Sequence, residues 1–320
     1  MKNKFALFSC LCALFVLIFA SRQVVESCRY GLSLCIELIL PSLFPFFLIS
    51  ILLSRLGLPA WLGKLLGPAA GRLFRVSGAG VTALLIGLSG GYPMGAAYLS
   101  QLLQDRRISE REAEHLLGFC NNSGPAFLIG AIGTGLFGSA KLGLFLYSIH
   151  ITAALLTGLL MRGMGGKPSD FPTVDEKRSV TFGALLPEAV SQTVSALLNV
   201  CGFVVCFTVF TGLLNTNGIL DSVVAHVCAP LHIPAETLRA MLIGFWELGS
   251  GIGALRGLPP TPLNLATAAA LVGWGGISVQ FQTFAVLADC KIKGTLHTAG
   301  RLLSAVFSFL LTYGILLLKT

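Results

Sequence analysis

Two stretches decide the fold of this chain: Leu88-Ser-Gly-Gly-Tyr-Pro-Met-Gly95 and Phe119-Cys-Asn-Asn-Ser-Gly-Pro125. Each sets glycine, proline and small polar residues inside an apolar run, where a membrane span is ordinarily oily throughout. Lipid offers no hydrogen-bond partner to a free backbone group. Non-helical backbone at membrane depth therefore survives only where it is buried in protein or lines a wet cavity. Discontinuous helices are also how many transporters build their solute sites.

The surrounding composition agrees. The chain has 320 residues, of which 54% are hydrophobic and 11% charged, and its mean hydropathy is +0.82. Soluble domains carry about 25% charged residues, so a polytopic membrane protein is the class that fits. The net charge of +8 sits in short loops between apolar runs, which marks a membrane side rather than a nucleic-acid surface. Nine cysteines are scattered, several inside apolar runs, with no metal-ligand spacing; they read as small packing residues. The five histidines show no metal spacing either. No phosphate loop and no nucleophile–base pair close in sequence points to an enzyme, so no catalytic residue, metal or cofactor is expected. Lys2 and Lys4 precede the apolar run Phe5–Ala20, and no small-x-small cleavage site precedes Arg22. A retained first span is the expectation.

About 20 apolar residues cross a bilayer. Candidate segments are 5–21, 30–53, 79–103, 116–138, 142–161, 184–214, 237–255, 265–288 and 297–318. The stretch Ser54–Ser77 mixes Arg55, Lys64, Arg72 and Arg75 with leucines and reads as an interfacial amphipathic piece. The two halves look duplicated. Glu37–Phe47 lies over Val194–Val204, Leu85-Ile-Gly-Leu88 over Leu242-Ile-Gly-Phe245, and Leu116-Leu-Gly-Phe119 over Leu271-Val-Gly-Trp274, all at an offset of about 155–157 residues.

Loop charge orients the chain. With all nine segments spanning and the N-terminus inside, basic residues divide nine inside against eleven outside. With 79–103 and 237–255 as re-entrant hairpins, the division becomes fifteen against five, the bias the positive-inside rule expects. The expected architecture is an all-α polytopic membrane protein of about seven transmembrane helices plus two re-entrant helical hairpins, arranged as inverted repeats around a midplane site. Its parts are an N-terminal span and loop (1–27), a first repeat (28–162), a polar cytoplasmic linker (163–182) and a second repeat (183–320).

The polar groups at the breaks are the candidate site. Ser89, Gly90, Gly91 and Tyr92 form the expected tip of the first hairpin, with Pro93 disrupting helix continuation. Freed N–H groups and the positive end of the next half-helix suit an anion; a kinked packing helix is the alternative. Asn121, Asn122, Ser123 and Gly124 place two carboxamides and a hydroxyl at membrane depth, where they must bind a solute or one another. Gln280 and Gln282 stand roughly where that cluster falls in the second repeat. Glu247, in Glu247-Leu-Gly-Ser-Gly with Ser250, is a carboxylate in an apolar segment. It is a candidate for a coupling proton or Na⁺, or for pairing with Arg239 or Arg256.

Leu88-Ser-Gly-Gly-Tyr-Pro-Met-Gly-Ala96, Gly118-Phe-Cys-Asn-Asn-Ser-Gly-Pro-Ala126 and Gly130-Ala-Ile-Gly-Thr-Gly135, with Gly244-Phe-Trp-Glu-Leu-Gly-Ser-Gly251 and Gly276-Ile-Ser-Val-Gln-Phe-Gln282, resemble the YlbJ family of sporulation integral membrane proteins. That family lies within the wider group carrying the nucleoside-recognition, or Gate, domain, and the resemblance covers roughly residues 28–318. It implies two Gate-like repeats and a fold similar to concentrative nucleoside transporters. It also implies movement of dipicolinic acid during endospore formation, across the mother-cell-derived outer forespore membrane.

The expected partners are therefore a small anionic solute and the lipid bilayer, with no nucleic acid. A homo-oligomer or a sporulation membrane partner stays open. A nucleoside transporter is the second reading, since carboxamides and a carboxylate also suit a ribose and base. A non-transporting scaffold or gate subunit is the third, and it has no need of a polar midplane.

Overall fold

A computed structural model describes residues 2–166, 168, 182–216 and 218–318; most of the expected linker 163–182 lies outside these. Among the described residues the regular structure is helical throughout. Five helices are long and apolar enough to cross a membrane: Ser21–Arg55, Ala140–Met161, Gly183–Asn215, Pro262–Val286 and Thr295–Leu317. The other two expected crossings fall on Lys2–Phe19, whose apolar part is Cys10–Phe19, and on 116–138, which the structure divides in two. Neither qualifies as a span by length and composition.

The divisions fall at the quoted stretches, for local reasons. Helix Gly78–Gly90 starts at Ser77, whose hydroxyl accepts from the Gly80 N–H at 3.1 Å, and stops at Gly91, with φ +82°. That φ is closed to most side chains. Helix Met94–Gln104 resumes after Pro93 and completes the first hairpin. Glu110–Cys120 then runs to Asn121, which is extended, and Ala126–Leu136 begins after Pro125. In the second half, Ala235–Trp246 stops at extended Glu247, and the short helix Leu248–Gly253 follows. Pro262–Trp274 breaks at Gly275 and Gly276, both at positive φ, before Gly276–Val286.

The order of elements recurs. Two 35-residue helical runs, Ser21–Arg55 and Phe182–Thr216, pack along each other. Each is followed by a further helix (Leu58–Phe74; Ile219–Leu231), a hairpin, a broken helix and a closing helix (Ala140–Met161; Thr295–Leu317). Leu85–Leu88 and Leu242–Phe245 both end the first arm of a hairpin, and Leu116–Phe119 and Leu271–Trp274 both end the first half of a broken helix. The aligned strings thus occupy corresponding places. Trp61–Phe74 turns by 100° into Gly78–Gly90, so the two cannot both run along the membrane normal. That geometry suits the interfacial piece expected at 54–77.

The surface is apolar where lipid would lie: Phe15, Phe19, Ile36, Leu198, Val306 and Leu310 are exposed. Pro262–Val286 is the innermost span, 78% buried. The breaks therefore sit inside the bundle, among the buried residues of the main core.

Candidate functional site

Each hairpin tip meets a broken helix backbone to backbone. A Cβ on Gly91 would lie 2.8 Å from the Gly124 nitrogen, and one on Gly124 would lie 3.0 Å from the Gly91 nitrogen. In the second half, a Cβ on Gly276 would lie 2.9 Å from the Leu248 nitrogen. The first contact brings Gly91 and Tyr92 beside Ser123 and Gly124; the second brings Glu247 and Leu248 beside the break before Val279 and Gln282.

Between these two junctions lies a cavity, partly open to the surroundings. Its polar lining is Tyr92, Ser123, Glu247 and Gln282, with the Gly91, Gly124 and Gly249 backbone. Its apolar walls include Ile39, Leu43 and Phe47 from the first long helix, Val200 and Val204 from the second, and Phe127. Ile39, Ala126 and Phe127 belong to stretches where the turn widens to π spacing, Cys35–Ile39 and Ala126–Leu136. Such widenings occur often at functional sites. Both halves contribute walls.

Glu247 is 2% exposed and pairs with neither arginine. Arg239 pairs with Asp221, and Arg256 lies 3.7 Å from Glu37. The Glu247 carboxylate instead caps Leu248–Gly253, accepting from the Gly249 N–H at 2.9 Å, from the Ser250 N–H, and from the Ser278 hydroxyl at 3.4 Å. The Ser250 hydroxyl sits 3.1 Å from that of Thr208 on the second long helix. The N–H and hydroxyl donors around Glu247 are all neutral.

The asparagines stand one layer behind the cavity. Both are 0% exposed. Asn121 Nδ2 donates to the Thr283 hydroxyl at 2.8 Å, joining the two halves, and its Oδ1 accepts from the Ala96 N–H at 3.4 Å. Asn122 Nδ2 donates to the Phe119 carbonyl at 2.7 Å. The Ser123 N–H donates to His150 Nε2 at 3.1 Å, so that donor is already engaged. Gln282 lines the cavity, whereas Gln280, two residues away, accepts from the Thr298 hydroxyl at 3.0 Å. Ser89 is exposed and bonds back to the Leu85 carbonyl at 2.8 Å. Gly90 is buried against Met94. Of the twelve candidate residues, the structure sets Gly91, Tyr92, Ser123, Gly124, Glu247 and Gln282 around one cavity.

Residues 36–161 match the Gate family, described as nucleoside recognition. The sporulation integral membrane protein YlbJ of Bacillus subtilis (strain 168) is 33% identical over 308 residues, covering 88% of this chain and 75% of the relative. The chain belongs to the YlbJ family. The structure resembles the concentrative nucleoside transporter CNTnw, in an outward-facing state (TM-score 0.54, 13% identity, 97% of this chain and 84% of the other). An intermediate state of CNTnw gives TM-score 0.53 at 13% identity, over 98% and 85%. This YlbJ-family member is an integral membrane protein with the concentrative nucleoside transporter fold.

Two residues of this YlbJ-family chain escaped the sequence reading. Arg301, on Thr295–Leu317, is 0% exposed. Its Nη1 donates to the Tyr92 hydroxyl at 3.0 Å, and its Nη2 donates to the Gly118 carbonyl and to Asn122 Oδ1, both at 3.3 Å. The signal was present: a lone arginine inside an apolar segment is costly and seldom idle. His150 escaped in the same way, as a polar residue within the span Ala140–Met161.

Proposed function

We propose that this chain is a transporter of a small organic anion, dipicolinic acid during endospore formation, working by alternating access at the cavity between the two hairpin tips. The observation that carries the reading is that cavity. Both halves of the chain wall it, and two helix breaks border it. Moving the hairpin tips against the long helices Ser21–Arg55 and Phe182–Thr216 opens it to one side or the other, the rocking plan of repeat-built transporters.

A flat aromatic diacid fits the chemistry of the walls. Phe47, Phe127 and Tyr92 offer ring faces and edges, and the tip backbone approaches closely because Gly91 and Gly124 have no side chain. Glu247 repels a dianion unless it carries a proton or Na⁺, which couples solute to cation; Ser250 and Ser278 orient that carboxylate. The repeats 28–162 and 183–320 act as the two moving halves, joined by the linker 163–182. The family's sporulation tie supports the forespore setting.

A nucleoside is the second reading. The neutral carboxamide of Gln282 and the carboxylate of Glu247 suit a sugar and base, and Gate is described by nucleoside recognition. Equilibrium titration of the purified full chain with dipicolinic acid and with uridine separates the two. Saturable binding of the acid, unaffected by excess uridine, supports the anion reading. Binding of uridine alone refutes it.

A further inference from the structure

A guanidinium at membrane depth is expected to face a carboxylate or water. Arg301 does neither. It is fully buried, and no ion pair among the described residues involves it. Its three bonds go to neutral oxygens, and its Nε–H has no partner among the described residues. The nearest cavity carboxylate, Glu247, is occupied by its own N–H and hydroxyl donors. A full positive charge is therefore held in a low-dielectric interior with no opposite charge beside it among the described residues, an arrangement that in membrane proteins usually marks function.

Its position is equally specific. The Tyr92 hydroxyl, which accepts from Arg301, belongs to a side chain that lines the cavity, and Asn122 immediately precedes the lining residues Ser123 and Gly124. The charge thus stands one side chain behind the wall. The Tyr92 hydroxyl spends its own proton on the Val272 carbonyl at 3.1 Å. A carboxylate in the cavity is a better acceptor than that carbonyl, and the O–H is already polarised by the guanidinium.

We infer that Arg301 is the fixed counter-charge of the cavity, selecting a carboxylate-bearing solute through the Tyr92 hydroxyl. This rests on the anion reading above and adds the residue that sets charge preference. Glu247 and Arg301 then divide the work: the first repels an anion until it takes up a cation, and the second makes the anion, rather than a neutral analogue, the preferred guest.

The test uses one ring with three charges: pyridine-2,6-dicarboxylate, its monoamide and the neutral diamide. Each is titrated against the purified full chain and against Arg301→Gln, Arg301→Lys and Tyr92→Phe. The wild type should rank them by negative charge. Arg301→Gln should weaken the dianion by roughly tenfold or more while moving the diamide less than about threefold. Arg301→Lys should restore part of the loss, and Tyr92→Phe should weaken the dianion selectively. Size-exclusion elution reports folding. If the Arg301 variants fail to elute as folded protein, Tyr92→Phe decides, and an unchanged dianion affinity there overturns the inference. A wild type that ranks by charge, with folded Arg301→Gln ranking identically, overturns the inference and leaves the anion reading standing. A wild type that binds none of the acids but binds uridine overturns both.

Discussion

Replacing Gly87 by alanine should undock the first hairpin. Gly87 lies on the helix Gly78–Gly90, where alanine is intrinsically favoured over glycine by about 1 kcal/mol. Packing reverses that preference. A Cβ there would sit 1.6 Å from the Cys120 carbonyl oxygen and 2.8 Å from its carbon. Ordinary contact begins near 3.4 Å, so the two backbones must separate by roughly 1.8 Å. Both partners are main chain, and no rotamer change relieves the clash. The separation strips contacts from Leu84, Leu99, Leu116 and Leu117, all nearly or fully buried. A gap of even 0.5–1 Å forfeits a quarter to a half of the dispersion well, and the loss amounts to about 3–5 kcal/mol, the range of a large core truncation. The assay is thermal melting of the purified protein in detergent, with a fall in midpoint of roughly 5–10 °C and loss of solute binding. Gly202→Ala is the control. It is also helical, but nothing lies within 4 Å of its added Cβ, so it should be neutral or stabilising by up to about 1 kcal/mol. A Gly87→Ala protein that melts with the wild type and binds solute normally would refute the packing reasoning.

Asn121→Ala should cost about 1–3 kcal/mol in the same melt, because the Thr283 hydroxyl and the Ala96 N–H lose a buried partner at once. Glu247→Gln removes the charge but keeps one oxygen, for either the Gly249 or the Ser250 N–H, and sets an NH2 against the other; it should cost about 1–3 kcal/mol in the same melt and abolish any dependence of solute binding on H⁺ or Na⁺. A cysteine placed at Asp105, between the first hairpin and Glu110–Cys120, should be labelled from the cytoplasmic side by an impermeant maleimide, as the charge-based topology requires. Labelling from the opposite side would remove the re-entrant assignment.

The breaks were legible because glycine, proline and asparagine in an oily run have few physical excuses. The duplication was legible because Leu-Ile-Gly and Leu-x-Gly strings end corresponding helices. The break at Gly275–Gly276 was harder to read: it carries no proline or asparagine and follows Trp274 within a run, 265–288, read as one span. The facing of side chains was harder still. Asn121 and Asn122 read as solute ligands, yet local backbone turns them toward Thr283, Phe119 and Arg301. Gln280 and Gln282 are two residues apart on one helix, so they point to different neighbours. Arg301 was absorbed into the span 297–318, because a single charge barely shifts a hydropathy window. Its importance appears only when Tyr92, 209 residues away, arrives at its guanidinium.

The most direct test of the central claim, that solute crosses through the cavity between the hairpin tips, is flux of labelled dipicolinic acid into proteoliposomes bearing either the wild type or Val204→Trp. Val204 is 2% exposed and lines the cavity from the second long helix, so an indole there occupies the solute's place. Saturable flux by the wild type and background flux by an equally inserted, folded Val204→Trp protein is the predicted result. Undiminished flux in the filled variant would contradict it.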